Sequence, residues 1–244
     1  MSYLTHAVFT NKGSRDINED SVGNAGDGTH ELFVLCDGLG GHGMGDQASQ
    51  LVVSVFQDQF RKLNNIKQFL PESFSAAQDI LIAAQQTKHA EQKMKTTGVA
   101  LLTDGKNAYI GHVGDSRLYI FRKNQVMKRT LDHSIPQMLA ISGDIKDSEI
   151  RNHPQRNIVL RVLGVEWEQP MFELMKPVPL KKCQAFLLCS DGFWELITEE
   201  EMCDILARAS SVEEWLSAMA DVVMRNGEGK NMDNFSAIAI WNNQ

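Results

Sequence analysis

Residues 32–36, LFVLC, form a short apolar run that ends in Asp37, and five glycines follow between Gly38 and Gly45. Bounded by polar residues before it and glycines after it, the run reads as a buried strand. The arrangement recurs in CQAFLLCSDG, where an apolar run stops at Asp191 and Gly192. A third strand, NFSAIAIW, alternates near the C-terminus and is preceded by Asp233. Three strands that each carry an aspartate at one end narrow the choice of fold. If they neighbour one another in a sheet, their ends bring carboxylates together.

Elsewhere the spacing turns helical. Ala48, Leu51, Val52, Val55 and Phe60 share one face of a helix that Asp46 is placed to cap. Pro71 falls where the first turn of a second helix tolerates it, and Phe74, Ala77, Leu81 and Ala84 form that helix's apolar stripe. The stretch GVALLTDGKNAYIGHVGDSRLYIF then holds three apolar runs, separated by Asp104–Gly105 and by residues 114–116. It reads as a meander of hairpins, with Asp-Gly a two-residue turn. Residues 133–170 are irregular, with Pro, Gly and Asn spread through them, and read as a mobile insertion over the surface. Two later helices each open with a capping-box pattern, Thr198 with Glu201 and Ser211 with Glu214. The order strand, helix pair, several strands, helix pair, strand predicts an α+β protein with helices packed over a β-sandwich. No repeat, low-complexity tract or Pro/Ser-rich linker interrupts it, so residues 1–244 are expected to form a single domain.

Apolar residues make up 43% of the chain and charged residues 23%, an ordinary globular balance. No apolar run approaches the ~20 residues that span a bilayer, and the N-terminus lacks a basic start followed by an apolar core. No membrane segment or secretion signal is therefore expected. The four cysteines, Cys36, Cys183, Cys189 and Cys203, show no CxxC spacing and read as reduced core thiols of a cytoplasmic protein. A net charge of −7 argues against nucleic acid as the main partner and suits a protein whose acidic groups gather cations.

Asp37, Asp191 and Asp233 share a setting, a strand meeting a loop. Carboxylates that converge repel one another unless cations sit between them, and hard divalent ions take such oxygen ligands. Taken singly, each Asp-Gly is also a common turn, as Asp104–Gly105 illustrates. SRDINEDS adds Arg15, Glu19 and Asp20, while GHVGDSR adds Asp115 in a tight turn. The glycine loop is a poor dinucleotide cradle. From Gly38 it reads Gly-Leu-Gly-Gly-His-Gly, which has the GxGxxG spacing, but its leading carboxylate repels a pyrophosphate.

Taken in order, RDINED, CDGLGGHG, TTGVALL, VGDSRLYIF, LDHS, HPQRNIVLRVLG, CSDGFWE and DNFSAI, from Gly13 to Trp241, resemble the bacterial branch of the metal-dependent protein phosphatases, the type 2C serine/threonine phosphatases. Each motif alone is weak; the ordered set is specific. The resemblance implies a four-layer αββα sandwich, two antiparallel sheets flanked by antiparallel helix pairs, with two divalent cations, Mn²⁺ or Mg²⁺, in a cleft at one edge. It implies that Asp37 bridges both ions and that Asp191 and Asp233 complete the ligands of the first. Glu19 and the Gly38 carbonyl would serve the second, partly through water. Asp115, sharing Asp191, would hold a third, weaker ion, or else only shape its turn. Asp20 and Asn234 would stand behind the ligands and orient water. Arg15 would grip the substrate phosphate, whose oxygens match a guanidinium, the alternative being an ion pair with Glu19.

By the same resemblance, a water or hydroxide bridging the two cations attacks phosphorus in line with the departing serine or threonine oxygen. No protein nucleophile is needed, which leaves Cys36 and Cys189 as core residues. Many eukaryotic members carry a histidine directly after the Asp-Gly pair as the acid for the leaving oxygen. Leu39 stands there in this chain. His42, three residues on, either reaches the cleft as a catalytic acid or shapes the loop. Residues 133–170 match the family's flap, where protein substrates are met. The expected function is hydrolysis of phosphoserine and phosphothreonine in proteins by a monomer whose partners are phosphorylated proteins and a cognate serine/threonine kinase pathway. One alternative is a phosphatase of small esters or phosphotyrosine. Another is a non-catalytic phosphoprotein scaffold, against which the presence of Glu19, Asp37, Asp115, Asp191 and Asp233 argues.

Overall fold

The computed structural model describes residues 4–39, 43–90 and 93–243. Strands β1 (Leu4–Asn11), β2 (Asp20–Gly26) and β3 (Glu31–Leu39) lead into helices α1 (Gly45–Phe60) and α2 (Ile66–Lys88). A run of strands follows, β4 (Lys95–Thr96), β5 (Gly98–Thr103), β6 (Asn107–Val113), β7 (Arg117–Arg122) and β8 (Gln125–Arg129). Next come α3 (Ile135–Ser142), a 3-10 turn (Asp147–Asn152), β9 (Glu173–Leu174), β10 (Val178–Pro179) and β11 (Ala185–Cys189). The chain closes with α4 (Asp191–Trp194), α5 (Glu199–Arg208), α6 (Val212–Gly227) and β12 (Phe235–Asn242).

The strands form two antiparallel sheets. One has the order β1-β12-β11-β7-β8, and the other β10-β6-β5-β3-β2, with β4 joined to β3 and β9 to β6. Alternation along single strands shows why the strands read as unbroken apolar runs. In β3, Leu32, Val34 and Cys36 face α1 and α2, while Phe33 and Leu35 face the opposite sheet. In β11, Ala185, Leu187 and Cys189 face α5 and α6, and Phe186 and Leu188 join Phe33 between the sheets. Both faces are dry, so both must be apolar. The result is the four-layer αββα sandwich.

Several local expectations need correction. Asp46 does not cap α1; Met44 holds that position without a side-chain bond, and Asp46 lies inside the first turn, where its charge favours the helix dipole. Pro71 lies inside α2, because Asn65 caps the helix several residues earlier by accepting from the Lys67 amide. The carbonyl that Pro71 leaves unbonded belongs to Lys67, an exposed residue. The meander holds for β5–β6, where Asp104 Oδ1 accepts from the amides of Lys106 and Asn107. It fails at residues 114–116, since β6 and β7 belong to different sheets. Residues 133–170 contain α3, capped by Ser134, and the 3-10 turn, so the segment is more regular than its sequence suggests. Thr198 and Glu201 make the full capping box, whereas Ser211 caps α6 by accepting from the Glu214 amide while the Glu214 carboxylate accepts from Ser210.

β7 opens with a buried charge. Arg117 gives two bonds to Asp132, 2.8 Å and 2.7 Å, and its guanidinium lies 3.5 Å from the centre of the Trp194 ring. A third bond runs to the hydroxyl of Tyr119, which in turn donates to Glu199. Removing one partner of such a pair leaves an uncompensated charge in the core. Asp132→Ala is expected to lower stability by about 3–5 kcal/mol in urea unfolding. A loss below about 1 kcal/mol would show that water reaches the guanidinium.

Candidate active site

At the edge where the sheets meet, Arg15, Glu19, Asp37, Gly38, Asp115, Asp191 and Asp233 line one open cleft of about 350 Å³. Strand register brings them there. Arg117, Cys189 and Ala237 stand side by side in β7, β11 and β12. Asp115 lies just before that level, Asp191 just after it, and Asp233 just before β12. Asp37 comes from the other sheet, at the end of β3. Its amide donates to Thr97 Oγ1 at 3.0 Å, and its carbonyl accepts from the Thr97 amide at 2.8 Å. Gly38 is demanded by close approach: a Cβ there would lie 2.3 Å from the Gly45 carbonyl oxygen. Gly192 is in the same position against the Asn234 carbonyl oxygen, at 2.2 Å.

The electrostatics are those of crowded acids. Burial, then the charges of Asp20, Asp191, Asp115 and Asp233, hold the Asp37 carboxyl well above the usual range. Burial, then Asp115 and Glu195, do the same to Asp191. Asp115 is pushed up to about 7 by burial and then by Asp132. Burial also raises Glu19, against a bond from the Gly45 amide. Arg15 meets Asp233 at 2.8 Å and not Glu19, with both side chains about half exposed at 48% and 46%. Asp20 Oδ1 is buried without a hydrogen-bond partner. Hard oxygen donors with excess negative charge and an orphaned carboxylate oxygen fit divalent cations of the Mg²⁺ or Mn²⁺ kind.

A protein-family model described as protein phosphatase 2C matches residues 11–232. The chain belongs to this family. The serine/threonine phosphatase stp of Listeria welshimeri is 31% identical over 98% of this chain and 96% of its own. The structure of the serine/threonine phosphatase Stp1 from Staphylococcus aureus superimposes with a TM-score of 0.89, at 30% identity over 98% of this chain and 94% of that one. The catalytic domain of the phosphatase PstP, in complex with two manganese ions, gives a TM-score of 0.81 at 26% identity, covering 98% of this chain and 97% of that one. This phosphatase is accordingly a metal-dependent protein serine/threonine phosphatase that uses two Mn²⁺ or Mg²⁺ ions.

Two further residues expected in the phosphatase's site stand behind the cleft. Asp20 pairs with Asp37 across β2 and β3, and its Oδ2 accepts from Ser190 Oγ at 2.8 Å. Asn234 spends both of its amide hydrogens on the chain itself. Its Oδ1 accepts from the Glu19 amide at 2.8 Å, and its Nδ2 donates to the carbonyls of Lys12 and Ile17. It staples the loop that carries Arg15 and Glu19 to the start of β12. His42 lies outside the described residues.

The sequence reading missed several contributors. Asn157 and Val159, from the stretch read as a flap, line the cleft, as does Ile17. Trp194 Nε1 donates to the Asp115 carbonyl at 3.0 Å. Thr97 Oγ1 lies 2.8 Å from Ser116 Oγ and ties the Asp37 strand to the Asp115 corner. All of these residues fall within the ordered motifs, Ile17 in RDINED, Thr97 in TTGVALL, Ser116 in VGDSRLYIF, Asn157 and Val159 in HPQRNIVLRVLG and Trp194 in CSDGFWE, but the motifs do not tell which side chains turn to the cleft. A groove of about 600 Å³ between α2 and residues 166–170 is larger than the cleft, but its carboxylates, Asp79, Glu166 and Glu168, are all exposed. Size does not mark the chemistry here.

Asp115 titrates at about 7 and Asp20 at about 6, both above the ordinary 3.8. A raised carboxyl pKa stabilises the fold fully below the ordinary value, and that contribution is lost as pH rises through the folded value. In a chelator, the melting temperature is therefore expected to fall from about pH 4 to about pH 7. Mn²⁺ should reverse the fall at the upper end, because it binds the deprotonated groups. A melting profile in chelator that is flat over this range contradicts the reading.

Proposed function

We propose that the cleft removes phosphate from phosphoserine and phosphothreonine with Asp37, Asp191, Asp233, Glu19 and the Gly38 carbonyl as the cation-holding set. Asp115 supplies a further, weaker cation position, and Arg15 binds the phosphate. The observation that carries this is the convergence of carboxylates from five separate segments on one open cleft with a guanidinium at its rim. When bound, the divalent ions supply positive charge to the phosphoryl oxygens and lower the pKa of water in the cleft.

The chain's own residues do the positioning. Among the described residues, the Arg15 side chain is held only by a half-exposed ion pair with Asp233, of a kind worth about 0–1 kcal/mol. It exchanges that partner for a dianionic phosphate at little cost and offers paired donors to the charge that develops on the equatorial oxygens. Glu19 is steadied through Asn234 and through the Gly45 amide. Asp20 keeps a spare acceptor behind Asp37. The open mouth, with Asn157 and Val159 on its rim, suits a phosphorylated side chain presented on a polypeptide better than a small ester that needs enclosure.

We read the phosphatase as a single-domain monomer that opposes a cognate serine/threonine kinase in the cytoplasm. Four buried free cysteines support a reducing compartment. No helix among the described residues is long and apolar enough to cross a membrane. His42 keeps both of its roles, acid for the leaving oxygen or shaper of the loop.

Phosphopeptide hydrolysis is expected to require Mn²⁺ or Mg²⁺ and to be abolished by chelator, by Asp37→Asn and by Asp191→Asn. Full turnover in Asp37→Asn would sink the assignment. Arg15→Ala is expected to lower kcat/KM by about 10²–10³-fold, the range for a donor aimed at developing charge. Assays on phosphopeptides and on p-nitrophenyl phosphate at matched Mn²⁺ separate the protein substrate from the small-ester alternative.

A further inference from the structure

Both ends of the segment that reaches over the cleft close on His133. Its carbonyl accepts from the Leu160 amide at 2.7 Å, and the adjoining Ser134 bridges Val159. On its other side His133 grips the corner between the sheets. Its amide donates to the Gly114 carbonyl at 2.9 Å, and its ring Nδ1 accepts from the Gly114 amide at 3.1 Å. Gly114 immediately precedes Asp115, and Val159 lines the cleft with Asp115. The corner is wedged as well: Gly114 has φ +103, and a Cβ there would lie 2.6 Å from Thr97. His133, 7% exposed, therefore joins the turn that carries Asp115 to the loop that carries Val159, its backbone holding Leu160 and the Gly114 carbonyl and its ring holding the Gly114 amide.

His112, His133 and Glu173 bring ligand atoms within 4.8 Å of one another, which invites a metal. The ring chemistry argues otherwise. Because Nδ1 of His133 accepts from an amide, its proton sits on Nε2, the atom a metal would need bare. The two rings are also stacked, with centroids 4.7 Å apart and planes 13° apart. Lone pairs lying in nearly parallel, stacked planes do not converge on one ion. His112 is fixed in turn by donating Nε2–H to the Leu131 carbonyl at 2.8 Å. Its ring is a shelf for His133.

We infer that His133 is a positioning residue that clamps the substrate-facing segment to the Asp115 corner, so that the cation position at Asp115 and the rim at Val159 are set together. The inference rests on the reading of Asp115 as a cation position. Residues behind metal ligands typically change metal affinity or activity about 10–100-fold when replaced. His133→Leu fills the space without an acceptor. His133→Asn places an amide oxygen near the position of Nδ1.

Nitrogen NMR of the unaltered protein should show His133 neutral with its proton on Nε2, and the Gly114 amide protected from exchange. A proton on Nδ1 overturns the clamp whatever the variants do. In calorimetric titration, the weaker Mn²⁺ step should weaken about 10–100-fold in His133→Leu and return toward the original value in His133→Asn. The ratio of phosphopeptide to p-nitrophenyl phosphate turnover should shift only in the leucine variant. An unchanged Mn²⁺ titration in His133→Leu, or equal impairment in both variants, rejects the inference. If the leucine variant does not fold, the NMR tautomer and the asparagine variant decide. Asp115→Asn is the control. If it leaves the Mn²⁺ titration unaltered, the cation reading of Asp115 fails; if it alters the titration and His133→Leu does not, only the clamp fails.

Discussion

Repulsion among Asp20, Asp37, Asp115 and Asp191 is the constraint that the rest of the structure answers. Asp20 and Asp37 are cross-strand partners, the least favourable place for two like charges. Across the corner between the sheets, Asp115 raises the pKa of Asp191. Left alone, such a cluster would take up protons or push the strand ends apart. The chain prevents the second outcome by fixing backbone. Thr97 grips Asp37 from both sides, Ser190 bonds Asp20, and Trp194 holds the carbonyl of Asp115. The glycines at positions 38 and 192 let neighbouring backbones close to distances that no other residue permits. The remaining charge is left for cations. Strain against self-repulsion is thereby turned into affinity for Mn²⁺ or Mg²⁺.

The layers of the fold and the outline of the site were legible from different signals. Apolar runs such as residues 32–36 disclosed strands buried on both faces, as any sheet covered on both sides requires, and the hairpin connections pointed to antiparallel sheets. The carboxylate-lined cleft was legible only through the ordered motifs, since Asp37 and Asp191 each look like the turn that Asp104 in fact makes. What stayed hidden depends on contacts distant in sequence. Nothing near Asn234 says that its side chain staples the Arg15 loop, because its partners lie more than two hundred residues away. Nothing near Gly114 says that β6 and β7 part into different sheets. The apolar pattern on either side is the same for a hairpin and for a crossover. Pro71 and Asp46 misled for a simpler reason: helix starts are set by which cap is satisfied, and Asn65 and Met44 took those places.

The site divides into a stiff wall and a yielding rim, and the division has a physical cause. On the wall, Asp115 is 4% exposed and is backed by Trp194, whose ring carries Arg117, itself bonded to Asp132. Each group in that chain is buried and satisfied, so moving one strands the next, which is costly in a low dielectric. Arg151 extends the same wall into the 3-10 turn by donating to the Trp194 carbonyl and to Glu199. On the rim, Arg15 and Asp233 are half exposed and hold each other by one bond that water competes for. In the proposed mechanism a phosphoryl group meets fixed carboxylates on one side and a guanidinium that changes partner cheaply on the other. Catalysis by electrostatic stabilisation asks for that combination: the wall would set where positive charge is held, and the rim would adjust to the charge that develops on the phosphoryl oxygens.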